Sequence, residues 1–425
     1  MRCAGQRINM RRYVAVMVSL PLLMELFWLL YFLTSEQNLI PQLLENRSRD
    51  VTAQISLHQL KTFKQKEQIR LSEHDKRRAI MDSECRKIHK YPRSNNRALI
   101  YNKAHNLMYC EVPKVGSTFW IRFLHQLRAN TTASPFAIKP QSVTDLKVND
   151  KWKDKNVTMG DSTNFLFVRN PFHRLFSAYI DKLFSPNPYY WSLLGKYIIQ
   201  KFRGKTSHCG HDVTFQEFLQ YAVHSETTHE KQNNHVMSLW QLCSPCQVKY
   251  NIIGKMESFK NDTESIMDKL HLDRYKHILK NMSVDASNDA LGDTAQAYIV
   301  MRSRAHSCIS PEEAADRIWT KLKVRGFIDI DQPVPYGLNQ KNEKQVLDIF
   351  KDANRRSVSK VGYDGLKRQQ HAIFKQAFRK ISRKTIEDIK VAFDMDFTIF
   401  GYDKHLDLTY NESKDSNVFI SNTLF

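Results

Sequence analysis

Three segments of this sequence repeat one order: a short apolar run, a polar turn and an amphipathic stretch. They lie at residues 109–128, 165–184 and 249–270. Strand, loop and helix in succession form the unit of a parallel sheet that is covered by helices. The sequence therefore predicts an α/β domain with a mainly parallel central sheet flanked by helices. Between Asn281 and Gly365 the apolar periodicity weakens, and we expect loops or an insertion there.

The turn PKVGST, which opens the first helix, is a candidate anion site. Ligands of such sheets bind beyond the carboxyl ends of the strands, where this turn lies. Gly116 lets the backbone approach an anion, the first N–H groups of the helix have no intrahelical partner, and Lys114 can reach over the bound group. An ordinary strand-to-helix turn is the alternative. The residues predicted to bind are Pro113, Lys114, Val115, Gly116, Ser117, Thr118 and Phe119.

The second strand–loop–helix segment carries a further pair of anion-binding side chains. Arg169 follows the apolar run FLFV directly, and Ser177 lies eight residues further on, about two helical turns into the helix. A planar guanidinium and a hydroxyl suit a second phosphate group. Two phosphate sites on neighbouring units predict a nucleotide that is phosphorylated at both ends.

These stretches resemble a known family. "VPKVGSTFW" and "FVRNPFHRLFSAY" resemble the two cofactor signatures of the Golgi carbohydrate sulfotransferases. "NNHVMSLWQLCSPCQVKYNIIGKMES" and "DMDFTIFGYD" are similar to segments of the chondroitin and dermatan 4-O-sulfotransferase branch. The resemblance implies a P-loop-like sulfotransferase domain that uses 3′-phosphoadenosine 5′-phosphosulfate as co-substrate and no metal. It also implies that Lys114 stabilises the leaving nucleotide, while Arg169 and Ser177 hold the 3′-phosphate.

The sequence departs from that branch at three places. Asn170 replaces the usual aspartate of the second signature, although its side chain can still cap the following helix. Gly116 and Ser117 stand where the branch often has Ala-Cys, a form nearer to the uronyl and heparan 2-O-sulfotransferases. Val236 replaces a common tryptophan. These differences leave donor binding as predicted and leave the acceptor open.

The acceptor hydroxyl must lose a proton, and a neutral histidine suits that task. The resemblance selects His235, which falls on the Asn-x-His of the branch; a histidine with a purely structural role is the alternative. Glu257 is a second candidate, for which an ion pair is the ordinary explanation.

The N-terminus predicts a membrane anchor. Residues 14–33 are mostly apolar and long enough to cross a bilayer, and four arginines precede them. A cleaved signal peptide is the alternative. The expected organisation is a cytosolic tail at 1–13, a transmembrane signal anchor at 14–33, a lumenal stem at 34–95, the catalytic domain at 96–410 and a C-terminal tail at 411–425. This organisation predicts a single-pass type II membrane protein with its catalytic domain in the lumen, and the resemblance implies the Golgi as its location.

Cysteines and glycosylation signals agree with a lumenal domain. Acceptor triplets begin at Asn46, Asn130, Asn156, Asn261, Asn281 and Asn411. Six of the seven cysteines follow the predicted anchor, and we expect disulfides among them. The pair Cys243 and Cys246 has the spacing of half a zinc site, but disulfides to other cysteines are the favoured interpretation.

The formal net charge of +20 favours an anionic partner. A lumenal location argues against nucleic acid, so we expect an anionic glycan or proteoglycan. The predicted activity is sulfation of a glycan hydroxyl, first of all 4-O of N-acetylgalactosamine in chondroitin or dermatan. A uronic acid hydroxyl, a terminal glycoprotein sugar, a nucleotide kinase or hydrolase, and an inactive membrane-tethered glycan-binding protein are the alternatives. No Gly-x-x-x-x-Gly-Lys loop is present, which argues against a kinase. The oligomeric state is left open.

Overall fold

The computed structural model describes residues 73–89, 98–138 and 162–408. The predicted anchor at 14–33 and the C-terminal tail lie outside these ranges, as does most of the predicted stem. Within the described part of the chain, no helix is both long and apolar enough to span a membrane.

Four strands form one mixed sheet in these ranges, in the order β1 (Leu99–Asn102), β2 (Leu107–Cys110), β3 (Thr163–Val168) and β4 (Ile252–Lys255). β2, β3 and β4 run parallel, whereas β1 pairs antiparallel with β2 at the edge. Every residue of β2 is buried, and so are the last five residues of β3, as expected for strands that are covered on both faces. The prediction of a mainly parallel sheet is therefore confirmed for the three strands that end near the predicted anion sites.

Helices follow the strands as the three repeated segments predict. The α-helices that follow β2 are α1 (Ser117–Ala129), α2 (Pro171–Tyr179), α3 (Pro188–Tyr190), α4 (Lys196–Arg203), α5 (Phe215–Thr228), α6 (Leu239–Cys243), α7 (Phe259–Lys269), α8 (Met282–Ala305), α9 (Pro311–Val324), α10 (Glu343–Arg379), α11 (Arg383–Ala392) and α12 (Asp394–Ile399). Two π-helical segments, Ile180–Phe184 and Trp191–Gly195, lie on either side of α3. α1 packs on the sheet through Trp120, whose ring centroid is 4.7 Å from that of Phe165.

The expectation of loops between Asn281 and Gly365 is wrong for most of this stretch but holds for residues 325–342, which form turns and one short 3-10 helix. The structure has the long helices α8 and α9 there, followed by the first part of α10. α10 contains one non-helical residue, Gly362, with φ 68° and ψ 170°. Because L-residues with side chains rarely adopt this region, glycine permits the kink that divides α10 into two halves.

Residues 73–85, which fall in the predicted stem, form a helix that packs against the sheet domain. His74 is 2% exposed and contacts the carbonyl oxygen of Ile253 at 3.0 Å. Arg77 donates a hydrogen bond to Asp262 at 2.7 Å, and Cys85 forms a disulfide with Cys246. These contacts make the helix part of the folded unit, although its polar sequence gives little sign of it.

The other two disulfides join Cys110 to Cys243 and Cys209 to Cys308. The preference for disulfides over a zinc site is confirmed, because Cys243 and Cys246 each bond to a different, distant cysteine. The Cys110–Cys243 bond ties the end of β2, just before the predicted anion loop, to the end of α6.

Candidate active site

The turn after β2 has an unusual backbone conformation that aims Lys114. Lys114 has φ 74° and Gly116 has φ 82°, both in the left-handed region. Two features exclude a side chain at Gly116: the left-handed backbone conformation, and the ring of Phe259, which would lie 2.3 Å from a Cβ there. Gly116 also precedes α1 without a side-chain cap, so the first N–H groups of α1 remain available to an anion.

Arg174 of α2 holds this turn in place. Its guanidinium is buried and donates hydrogen bonds to the carbonyl oxygens of Pro113 at 3.2 Å, Asn234 at 3.0 Å and Met237 at 2.6 Å. One side chain thus joins the predicted anion loop to both sides of His235. Sequence reasoning missed this residue, because nothing in its local pattern distinguishes it from a surface arginine.

Three of the predicted phosphate ligands, but not Pro113, meet in one cleft of about 500 Å³. Lys114, Arg169 and Ser177 line it, and Nη1 of Arg169 donates to the backbone oxygen of Lys114 at 3.3 Å. Of the described residues, Val115 to Phe119 do not line this volume, and neither does His235. Val115 is buried, and Phe119 packs at 5.5 Å from the ring of Phe259, so only backbone groups of these two can face an anion.

The opposite wall of the cleft comes from α9, from residues 325–327 directly after it, and from α10. It contributes the cations Arg325 and Lys367, and an aromatic surface around Phe374. The ring of His173 stacks on that of Phe374, with centroids 3.9 Å apart. Burial, together with the charges of Arg169 and His371, lowers the pKa of His173 to about 3, so this ring is neutral and can face a flat apolar group.

Sequence reasoning also missed Asp181, whose carboxylate lies at the inner end of the cleft. It accepts hydrogen bonds from Lys114 at 2.8 Å and from Lys321 at 2.9 Å, and Lys182 lies 3.2 Å away. Burial would raise the pKa of Asp181, but the three ammonium groups hold it well below its usual range. Spacing offered a signal: residues 169, 173, 177 and 181 follow one another at four-residue intervals, and all four line the cleft.

Lys114 is mostly charged at pH 7 and below. Burial lowers its pKa to about 8, against the raising effect of the Asp181 carboxylate. Arg169 is equally enclosed, and burial lowers its pKa below the ordinary value.

His235 belongs to a contact chain that starts at Lys114. Lys182, which lies beside Asp181, places its ammonium 4.8 Å from the ring centre of Tyr190, and the Tyr190 hydroxyl is 3.2 Å from Nδ1 of His235. Nδ1 is also 3.0 Å from Oδ1 of Asn233. An amide oxygen only accepts, so this contact assigns the proton to Nδ1 and the lone pair to Nε2. Burial, with the charges of Lys182 and Lys114, lowers the pKa of His235 to about 3.

Glu257, the second candidate base, lines the cleft beside Arg169. Its carboxylate accepts from the Asn170 N–H at 3.2 Å and from the Tyr402 hydroxyl at 2.9 Å. Asn170 itself caps α2, since its side chain accepts from the Phe172 N–H, and this confirms the capping role expected for it. Glu257 thus has the contacts of a structural acceptor rather than those of a poised base.

Metal ligands were not expected from the sequence. Within the described ranges, no cluster of three or more His, Cys, Asp or Glu side chains could hold a metal ion. Metal independence of the protein stays a prediction.

A mainly parallel sheet with Lys114 and Arg169 at neighbouring strand ends, around one cleft, defines an α/β protein with a cationic site at the edge of its sheet. The sequence pattern of the Sulfotransferase family matches residues 97–318, slightly more than half of the chain. The chain therefore belongs to the sulfotransferase family, as the motifs indicated.

Several curated proteins are similar to this chain over part of its length. Carbohydrate sulfotransferase 8 of Mus musculus is 35% identical over 191 residues, which cover 42% of this chain and 45% of that protein. Carbohydrate sulfotransferase 11 of Rattus norvegicus is 31% identical over 181 residues, or 40% of this chain and 51% of the relative. Carbohydrate sulfotransferase 14 of Danio rerio is 31% identical over 178 residues, which cover 40% of this chain and 48% of the relative. The chain thus spans about half the length of the curated relatives it matches. No solved structure gives a significant match.

Proposed function

We propose that this protein is a carbohydrate sulfotransferase, which moves the sulfuryl group of 3′-phosphoadenosine 5′-phosphosulfate to a glycan hydroxyl. The observation that carries the proposal is the single cleft lined by Lys114, Arg169 and Ser177. A nucleotide with phosphate groups at both ends needs cations at two separate points, and these residues supply them from two neighbouring strand ends. The names of the similar proteins support a carbohydrate as acceptor.

Each part of the donor has a proposed place. The 5′-phosphosulfate lies at the turn Pro113–Thr118, with Lys114 and the first N–H groups of α1 as its donors. The 3′-phosphate lies at Arg169 and Ser177. The adenine is proposed to lie against the neutral rings of His173 on α2 and Phe374 on α10, which together offer a flat surface.

The reaction is an in-line displacement at sulfur. The acceptor oxygen forms a bond to sulfur while the bond from sulfur to the bridging phosphate oxygen breaks, and that electron pair leaves with 3′-phosphoadenosine 5′-phosphate. Nε2 of His235 takes the proton of the acceptor hydroxyl. Lys114 stabilises the negative charge that develops on the bridging oxygen.

The acceptor proposed first is 4-O of N-acetylgalactosamine in chondroitin or dermatan. It rests on the similarity of residues 233–258 and 394–403 to the 4-O-sulfotransferase branch. A uronic acid hydroxyl and a terminal glycoprotein sugar are the competing acceptors, because of the substitutions at Gly116, Ser117 and Val236. We further propose the Golgi membrane, with the domain in the lumen, as the location.

Incubation of the purified full-length chain with donor labelled in the sulfate, and with a panel of desulfated glycosaminoglycans and glycoproteins, tests the proposal. Digestion of the labelled product to disaccharides then locates the sulfate. We expect label at 4-O of N-acetylgalactosamine, with equal rates in a metal chelator. Label at another position would identify a different acceptor hydroxyl and leave the proposed sulfuryl transfer unchanged. Binding of glycan without binding of 3′-phosphoadenosine 5′-phosphate would support an inactive glycan-binding protein instead.

A further inference from the structure

Asp181 is the centre of a charge cluster that the donor-binding motifs do not include. Its two carboxylate oxygens divide the contacts: Oδ2 binds Lys114 at 2.8 Å and lies 3.2 Å from Lys182, while Oδ1 binds Lys321 at 2.9 Å. The side chains of Asp181, Lys114 and Lys321 are 25%, 18% and 7% exposed. At this degree of burial, an ammonium without a counter-ion would be strongly destabilised.

The local backbone is what brings Asp181 to this point. It is the second residue of the π-helical segment Ile180–Phe184, which continues α2 after Tyr179. π-helical turns are rare and occur most often at functional sites. The segment presents Asp181 towards the anion loop and the neighbouring Lys182 towards Tyr190.

Most of the charged groups around Asp181 are cations. The cluster as a whole has three ammonium groups and one carboxylate, so it keeps an excess of two positive charges for an anionic ligand. The charged or titratable groups that face it are Lys114 from the anion loop, Lys182 from its own segment, Lys321 and Arg325 from α9, Tyr190 from α3 and His235 from the loop before α6.

We infer that Asp181 is a positioning residue for sulfuryl transfer: it fixes the Lys114 ammonium at the mouth of the anion loop and keeps it protonated. This inference rests on the proposed function, because it concerns the lysine that faces the leaving group. Asp181 lines the cleft, but its carboxylate is assigned to no group of the donor. It acts through Lys114, while Lys321 and Lys182 balance its negative charge so that the donor is not repelled.

Two neighbours of Lys114 therefore act on it with opposite signs. The Asp181 carboxylate raises the pKa of Lys114, whereas the Lys182 ammonium lowers it. Removing the carboxylate lets burial dominate, so the ammonium loses its proton at lower pH. Removing the Lys182 charge takes away a repulsion, so the proton is held to higher pH. A general loss of structure cannot move one property in both directions.

The test uses the full-length chain and four forms of it: wild type, Asp181→Asn, Asp181→Glu and Lys182→Gln. The pH dependence of kcat/KM for the donor is measured from pH 5.5 to 9.5, since this ratio reports groups of the free enzyme. In Asp181→Asn we expect the alkaline fall to move down by about one pH unit or more. In Asp181→Glu it stays near the wild-type position, and in Lys182→Gln it moves up. Asp388→Asn, which removes a surface partner of Lys384 on α11, is the matched control and leaves the profile unchanged.

A second readout needs no turnover. Trace acylation of lysines across the same pH range, followed by peptide mass spectrometry, gives the pKa of Lys114 directly. An unchanged Lys114 pKa in folded Asp181→Asn, or a shift in the same direction in Lys182→Gln, would overturn the inference. If Asp181→Asn does not fold, the direction found in Lys182→Gln decides. Opposite shifts in a protein that transfers no sulfate would uphold the positioning role and refute the proposed function; transfer without these shifts would do the reverse.

Discussion

Replacement of Arg174 by methionine tests whether one buried guanidinium organises the site. Methionine keeps most of the volume but removes the donors to Pro113, Asn234 and Met237. Hydrogen bonds from a charged donor contribute about 1.5–3 kcal/mol each, so three of them set a ceiling of about 5–9 kcal/mol. Measured losses on removing one partner of a buried charged network are about 3–5 kcal/mol, and we expect a decrease of that size in the free energy of unfolding.

Urea unfolding with intact disulfides, followed by tryptophan fluorescence, measures this loss. Trp120, Trp191 and Trp319 are all buried and report on the sheet and on the helices. With a denaturant slope of about 3 kcal/mol/M, the midpoint should fall by roughly 1–1.7 M. Arg78→Met is the control, because Arg78 is exposed and forms an ion pair with Asp75 one helical turn away; its effect should stay below about 1 kcal/mol.

The loss in free energy of unfolding caused by Arg174→Met, called the deficit below, should also depend on pH. Burial raises the pKa of Asp396 to about 7, and the charge of Arg174 opposes that rise. A carboxyl group whose folded pKa is raised stabilises the fold below its unfolded pKa and loses that contribution as pH rises through the folded value. Without Arg174 the folded pKa rises further, so the deficit should increase from pH 6 to pH 8. A midpoint lowered by less than about 0.3 M at pH 7, or a deficit that shrinks with rising pH, would refute this account.

Three shorter predictions concern the donor and the base. Lys114→Met should lower kcat by about 100- to 1,000-fold in a stopped assay. The variant should still fold, because Lys321 and Lys182 continue to neutralise Asp181, and its thermal unfolding checks this. Arg169→Ala should weaken binding of 3′-phosphoadenosine 5′-phosphate by about 10- to 150-fold in calorimetry, and unchanged affinity would displace the 3′-phosphate from this residue. His235 is neutral above a pKa of about 3, so kcat/KM should show no acidic loss from this group between pH 5 and 7, and near-normal turnover of His235→Ala would remove it as the base.

The strand ends could be predicted from sequence because their pattern is local. Each short apolar run is bounded by a turn, and parallel strands bring those turns to one edge of the sheet. Lys114 and Arg169, 55 residues apart, therefore meet as expected. The cap at Asn170 also followed from sequence, since a side-chain oxygen directly before proline and an apolar stretch is a local signal.

The far wall of the cleft could not be predicted, because its signals are not local. α8, which packs against α10 behind that wall, buries Thr294 and the small Ala295 and Ala305 together with Leu291 and Tyr298, so its sequence shows only a weak apolar stripe. α10 changes direction at Gly362, and its two halves bury different faces. Its sequence therefore does not follow one apolar period along its whole length. The spacing of residues 169, 173, 177 and 181 indicates one shared face, but the π-helical turn that brings the Asp181 carboxylate to Lys114 has no such signal in the sequence.

The kink at Gly362 also limits how this stretch of the chain can change in length. Apart from its chain neighbours and the adjacent backbone of α10, no described atom would lie within 4 Å of a Cβ at Gly362, so the left-handed φ rather than crowding favours glycine there. Beyond it, Lys367, His371 and Phe374 face the cleft. Each residue of a helix turns the next by about 100°, so deleting one residue just after the kink would turn Arg368 and Ala372 inward in their place. Point substitutions on the outer face of this half-helix should be tolerated, whereas insertions and deletions should not.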